Sequence, residues 1–321
     1  MGIRNLNRYL RDNCPESIRC VNISELSGKK IAVDISIYLY KYEAENALLE
    51  NMYVMLSIFR YYNITPIFIF DGKPPPEKND LLKKRKDDRL AAQEEYNKLK
   101  QILESKEEDE KKDIVDAMVL LKKQFVQISK EKIQTVKTLI RAYGATYYDA
   151  LGEADELCAL LVIKKKVWAC LSEDMDLFVY GCTRVIRYFS LLAHTVVLYY
   201  TKGILDELNM TKKEFKEICV LSGTDYNINA NGDTNNINLR VTLKHFRKFK
   251  ESNEDQFYDW LIENTEYITD IELLNKINNM FNFVHNNDTL AVFKNIKITN
   301  GPIKQGEIEE IMKNENFIFC K

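Results

Sequence analysis

Histidine is scarce in this chain of 321 residues: only His194, His245 and His285 occur, and they are scattered. A histidine-rich zinc site is therefore excluded as the organising feature, because Zn²⁺ favours nitrogen and sulfur ligands. Cysteine does not supply one either. Cys14, Cys20, Cys158, Cys170, Cys182, Cys219 and Cys320 are odd in number and none has CxxC spacing. Several sit in apolar runs such as LCALLV, VWACL and EICVL, which predicts reduced, buried thiols of an intracellular protein. An excess of one charge is also missing. Lys and Arg number 46 against 48 Asp and Glu, giving a net charge of −2. Net charge alone thus gives no drive toward a polyanion, although local basic patches can be offset in the sum by an acidic site. There is no apolar run of membrane-spanning length and no signal peptide, so no membrane partner is expected. Gly2 follows Met1, but Leu6 stands where a myristoylation signal needs Ser or Thr.

What is present is a patterned set of carboxylates. With 45% hydrophobic and 29% charged residues, the chain can build one large core or two smaller ones. Apolar strand-like segments alternate with helical ones: IAVDI (31–35), ITPIFIFDG (64–72), ATYYD and VWACLS, with helical stretches between them. VIRYF and VVLYY read as two further strands, a hairpin or edge pair. This alternation predicts an α/β fold with a mainly parallel central sheet flanked by helices. In such sheets ligands bind beyond the carboxyl ends of the strands.

Acids fall at those ends. Asp34 and Asp71 each close an apolar strand. Glu153 and Asp155 open a helix in LGEADE, and Asp174 and Asp176 follow a strand in SEDMD. The helix TKKEFKEICVLSG delivers Asp225 in GTDY. An isolated D-x-D is usually solvated surface. Gathered at one sheet edge, such acids repel one another unless they hold cations. Oxygen donors suit Mg²⁺ or Mn²⁺, and two such ions can serve both oxygens of a phosphodiester displacement. Asp149 also ends a strand and reads as a turn or helix-capping residue.

Between Pro74-Pro75-Pro76 and residue 134 the composition shifts to a highly charged segment, nearly free of Gly and Pro. It predicts two or three helices standing partly away from the body. An Asn-rich loop at 226–238 precedes a basic helix carrying Arg240, Lys244, Arg247, Lys248 and Lys250.

MGIRNL, VDIS, IFIFDGKPP, GEADE, SEDMD and GTDY, in this order, resemble the structure-specific 5′ nucleases, with flap endonuclease the nearest branch. The resemblance covers roughly residues 1–225. It implies a PIN-like 5′ nuclease fold, with a metallonuclease core over 1–226, a helical arch inserted at 74–134 and a helical duplex-binding region over 227–321. By position it implies seven metal-site carboxylates: Asp34, Asp71, Glu153, Asp155, Asp174, Asp176 and Asp225. Two Mg²⁺ ions, replaceable by Mn²⁺, and hydrolysis to a 5′-phosphate and a 3′-hydroxyl are expected. Lys78 and Arg85 fall where the family steers the scissile phosphate. Gly2, Tyr40, Lys83, Lys84, Arg89, Arg240 and Lys244 are implied DNA contacts.

Two departures stand out. The segment between Asp34 and Asp71 is shorter than in the family and lacks the acidic patch that grips a 3′ flap. Asn236-Ile237-Asn238 replaces a Gly-rich turn that binds K⁺ and duplex phosphates, so a K⁺ site is in doubt. No sliding-clamp-binding motif is found. The expected partner is branched or nicked double-stranded DNA with a 5′ single strand, met by a monomer in the nucleus or wherever DNA is replicated. A 5′–3′ exonuclease of the exonuclease-1 type, a PIN-type ribonuclease and a non-catalytic DNA-binding scaffold are the alternatives.

Overall fold

A computed structural model describes residues 2–104, 111–226, 238–252, 254–268, 270–283, 297–314 and 317. Its centre is a seven-stranded sheet in the order β1-β7-β6-β5-β2-β3-β4. The strands are β1 (Ile18–Asn22), β2 (Lys30–Asp34), β3 (Thr65–Phe70), β4 (Thr146–Asp149), β5 (Ala169–Leu171), β6 (Arg184–Ser190) and β7 (Thr195–Tyr200). From β6 through β5, β2 and β3 to β4 every pairing is parallel, whereas β7 and β1 add an antiparallel edge. The sheet is thus mainly parallel, as the alternation predicts.

The central strands are apolar on both faces because helices cover both sides. Ile31, Val33 and Phe68 look into one core, and Ala32, Ile67 and Ile69 look into the other. Helices α1 (Leu6–Asn13), α7 (Ala154–Ile163) and α10 (Lys212–Ser222) cover the second side. Helices α2 (Ile35–Ala44), α3 (Leu48–Tyr61) and α6 (Lys130–Ala142) cover the first. The long apolar stretch after Asp34 is broken once, at Asn46, whose φ of 53° lies in the left-handed region.

The charged insertion forms α4 (Asn79–Glu104) and α5 (Lys111–Lys122), which pack on each other. Leu81 and Ala92 of α4 are buried, while Leu90, Val119 and Leu120 are exposed, so this pair stands partly off the core. Helix α8 (Asp176–Val179) follows SEDMD, and α9 (Thr201–Glu207) follows β7. Helices α11 (Leu239–Glu251), α12 (Phe257–Asn264) and α13 (Ile271–Met280) pack around α10, and α14 (Gln305–Lys313) closes on α6. Helix α10 is capped by Thr211, with Glu214 completing the reciprocal pair.

Strand β1 is absent from the sequence reading. IRCVN has one buried residue, Val21, and its ladder partner β7 lies far along the chain. Asp149 neither caps nor turns: it ends β4 and ion-pairs with Lys137 at 2.5 Å. Five of the six described cysteines are buried and free, and Cys20 is exposed. No helix among the described residues is long and apolar enough to cross a membrane.

Candidate metal centre and nucleic-acid interface

Five short connections bring the acids together at the carboxyl edge of the sheet. β2 ends on Asp34 and runs directly into α2. β3 ends one residue before Asp71, and Gly72 then passes so close to the 150–152 loop that its N–H donates to the Gly152 carbonyl at 2.7 Å. A side chain at Gly72 would stand 2.0 Å from the Ala150 carbonyl oxygen, so only glycine fits there. β5 leads through Ser172 to Asp174 and Asp176, and α10 ends before Gly223 and Asp225.

The acids are wired by hydrogen bonds that the motifs did not reveal. The Ser172 hydroxyl donates to Asp34 at 2.8 Å and accepts the Asp174 N–H at 3.1 Å. Asp174 accepts the Asp176 N–H at 3.0 Å. Asp71 accepts the Ser36 hydroxyl and, at 2.8 Å, the Ala154 N–H at the start of α7. Ser36 stands two residues after Asp34 and Ser172 two before Asp174. Small hydroxyl residues so close to paired acids were the available signal.

Asp34, Asp155, Asp174 and Asp176 are all buried. Burial, then repulsion from Asp71, raises the Asp34 carboxyl to about 7. Burial followed by Asp174 and Glu153 holds Asp155 well above the carboxylate range, against the pull of Lys78. Burial raises Asp174, and burial with Asp174 and Asp225 raises Asp176 well above its ordinary value. Four buried acids pushed up together mark a place short of positive charge.

Two cations from the base of the charged insertion face them. Buried Lys78 donates to both Glu153 oxygens at 2.7 Å and stands 3.7 Å from Asp225. Burial alone would lower the Lys78 ammonium, but Asp155, Glu153 and Asp225 outweigh it and raise it. Arg85, on the first turns of α4, contacts Asp225 at 2.9 Å. Tyr226 donates its hydroxyl to Glu153 at 2.8 Å.

The donor set fits a hard divalent cation. All seven side chains offer oxygen, and Asp176 Oδ1 is buried without a hydrogen-bond partner. As they stand, no three of the described His, Cys, Asp or Glu side chains close on one point tightly enough to ligate an ion. They are spread along the edge and partly engaged by Lys78 and Arg85.

Gly2 is drawn into this edge. A side chain at Gly2 would stand 2.6 Å from Asp176 Oδ1 and 2.8 Å from Asp174 Oδ1, at a φ of 76°. Helix α1 and the SEDMD loop are pinned together by Arg187, which sequence alone left unmarked. Its buried guanidinium donates to Asn7 Oδ1 at 2.6 Å and to the Glu173 carbonyl at 2.8 Å, and it ion-pairs with the Glu173 carboxylate at 3.4 Å.

The remaining expected DNA contacts are dispersed. Tyr40 is 51% exposed on α2, close in sequence to Asp34. Lys83 and Lys84 are exposed on α4, and Arg89 donates to the Arg85 carbonyl within the helix. Arg240 lines a cleft of about 360 Å³ between α1 and α11 with Arg8, Tyr9 and Arg247. Lys244 is exposed on α11. Of the candidate K⁺ turn Asn236-Ile237-Asn238, the first two residues lie outside those described. Asn238, its last residue, caps α11 by accepting the Val241 N–H at 3.1 Å.

A carboxylate-lined sheet edge, roofed by cations at the foot of a helical insertion, defines a nuclease of the 5′ nuclease fold. Two family models match the chain: the XPG N-terminal domain over residues 1–92 and the XPG I-region over residues 144–225. Flap endonuclease 1 of Zea mays is 30% identical over 264 residues, covering 76% of this chain and 67% of that protein. Among solved structures, flap endonuclease-1 from Methanococcus jannaschii matches with a TM-score of 0.58 at 21% identity, covering 92% of this chain and 90% of that one. The Holliday junction-resolving enzyme GEN1, in complex with product DNA and a Mg²⁺ ion, matches with a TM-score of 0.61 at 17% identity, covering 98% and 73%. The chain belongs to the flap endonuclease family of structure-specific 5′ nucleases.

Proposed function

We propose that this chain hydrolyses DNA phosphodiesters at 5′ flaps or 5′ ends with two divalent metal ions, in DNA replication or repair. One observation carries the reading: four buried, mutually repelling carboxylates face Lys78 and Arg85 at the base of a long helical insertion. Asp34, Asp71, Glu153, Asp155, Asp174, Asp176 and Asp225 would hold the ions. Mg²⁺ is the expected ion, with Mn²⁺ as a substitute. Bound there, divalent ions supply Lewis-acid charge to the attacking and leaving oxygens.

The chain's own residues do the rest. Lys78 and Arg85 offset negative charge on the transferring phosphoryl group, and Arg85 has the fork geometry to do so bidentately. Both already answer to negative oxygen, being held by Glu153 and Asp225. Gly2 leaves room beside Asp174 and Asp176 where any side chain would intrude. Exposed Tyr40 offers a ring to a displaced base, a contact worth roughly 1–3 kcal/mol. Arg8, Arg240 and Arg247 line a groove suited to duplex phosphates. The core over 1–226 cuts, the 74–134 insertion admits the single strand, and the region 227–321 holds the duplex.

The test compares cleavage of 5′-flap, nicked, gapped and blunt DNA in Mg²⁺, repeated with the 5′ end blocked. Preferential cutting of flapped DNA, lost on blocking, is the expected result. Cutting of single-stranded RNA with flapped DNA ignored would replace this reading with a ribonuclease.

A further inference from the structure

The opposite edge of the same sheet carries a second concentration of charge, of the other sign. A cleft of about 970 Å³ opens where β2, β5 and β6 begin and α7 ends. Lys29, Lys30, Lys165, Lys166, Arg184 and Lys202 line it, and Asp206 is its one acid among the described lining residues. These cations come from four parts of the chain: the start of β2 with the residue before it, the turn after α7, the start of β6 and helix α9. Among the described residues none of the six joins an ion pair. Arg184 has, in addition, a buried Nε with no hydrogen-bond partner.

Favourable placement at a helix C-terminus accounts for Lys165 and Lys166, which follow α7. It does not account for Lys29, Lys30, Arg184 and Lys202. Like charges converging on one concavity in a chain of net charge −2 build a local positive potential that attracts anions. A single carboxylate would leave most of that charge uncompensated, whereas an oligophosphate matches it. Trp168 is no free stacking platform, because Lys29 and Arg184 already stand over its ring at 5.7 and 5.1 Å. Tyr200, the other aromatic residue of the lining, is likewise covered, by Arg19 at 5.9 Å, so the cleft offers cations to phosphate groups and no open ring to bases. Helix α7 spans the sheet from the acids to this cleft, about 15 Å for its ten residues, so the two sites do not share ligands.

We propose that this cleft is a phosphate-binding site separate from the carboxylate edge, taking a chain of linked phosphates. The phosphates come either from a free polyphosphate or from a nucleic-acid backbone passing the far side of the sheet. Trp168 sits among the cations and reports their occupancy.

The test is a fluorescence titration in EDTA, which removes cleavage from the readout. The Trp260→Phe chain is titrated with inorganic tripolyphosphate and, separately, with a single-stranded oligonucleotide. Calorimetry on the chain with both tryptophans repeats the comparison without that substitution. The same titrations use Lys30→Gln/Lys166→Gln/Lys202→Gln, three exposed positions whose loss leaves the core untouched. Saturable binding that weakens tenfold or more in the triple variant is expected. For the oligonucleotide, the slope of log affinity against log salt should fall by about 2. Binding of tripolyphosphate alone assigns a free polyphosphate, and an oligonucleotide signal displaced by tripolyphosphate assigns a nucleic-acid backbone. No saturable response to either probe, or equal responses in the triple variant, overturns the site.

Discussion

Asp34→Asn tests separately the two jobs proposed for this carboxylate. Asp34 is 6% exposed, and its carboxyl is raised from 3.8 to about 7 by burial and by Asp71. A folded-state value above the unfolded one means the native state holds the proton more tightly. The stability that Asp34 contributes is then fully present below pH 4 and is lost as pH rises through about 7. By linkage the full loss is about 4 kcal/mol at pH 8, as an order of magnitude. Asparagine is nearly isosteric and keeps an oxygen to accept the Ser172 hydroxyl. The variant should therefore be more stable than the parent at pH 8 in EDTA, by roughly 1–4 kcal/mol, and unchanged at pH 4. Denaturant melts at both pH values measure this, and the same variant should fail to cut flapped DNA in Mg²⁺. Equal or lower stability at pH 8 would refute the claim that burial and repulsion of an ionised Asp34 strain this edge.

Further outcomes follow from the same geometry. Mg²⁺ should raise the thermal midpoint more at pH 8 than at pH 5.5, because below about 7 a proton on Asp34 competes with the ion; equal shifts would contradict this. Gly2→Ala should cut activity at least tenfold, since a side chain there meets Asp176 at 2.6 Å. Its thermal midpoint should change little, because Gly2 lies outside the helices and strands. Arg187→Ala should cost about 3 kcal/mol, read by denaturant melts, by leaving Glu173 and Asn7 without their buried partner. It should also weaken Mg²⁺ activation, and Arg187→Lys should not restore it, because one ammonium cannot span both partners.

The acids at the sheet edge were legible because each breaks an apolar pattern at a strand end. VDIS, FIFDG and SEDMD put charge where a buried run stops, and a parallel sheet aligns those stops. The hairpin β6–β7 and the helical insertion were legible for the same reason, as changes of period and composition. Strand β1 was not, because its order comes from pairing with β7 and not from its own side chains. Arg187 was hidden too: in sequence it is one basic residue in VIRYF, and only the fold brings Asn7 and Glu173 to it. Asn236 and Ile237 of the candidate K⁺ turn fell outside the described residues, and Asn238, its last residue, serves as a helix cap.

The most direct test is cleavage by Asp176→Asn. Asp176 is 2% exposed and carries the buried oxygen that lacks a hydrogen-bond partner. The variant and the parent are compared on 5′-flap DNA in Mg²⁺, with DNA affinity measured in parallel. Loss of cleavage with DNA binding retained is the predicted result. Near-normal cleavage would contradict the assignment of this edge as the catalytic metal centre.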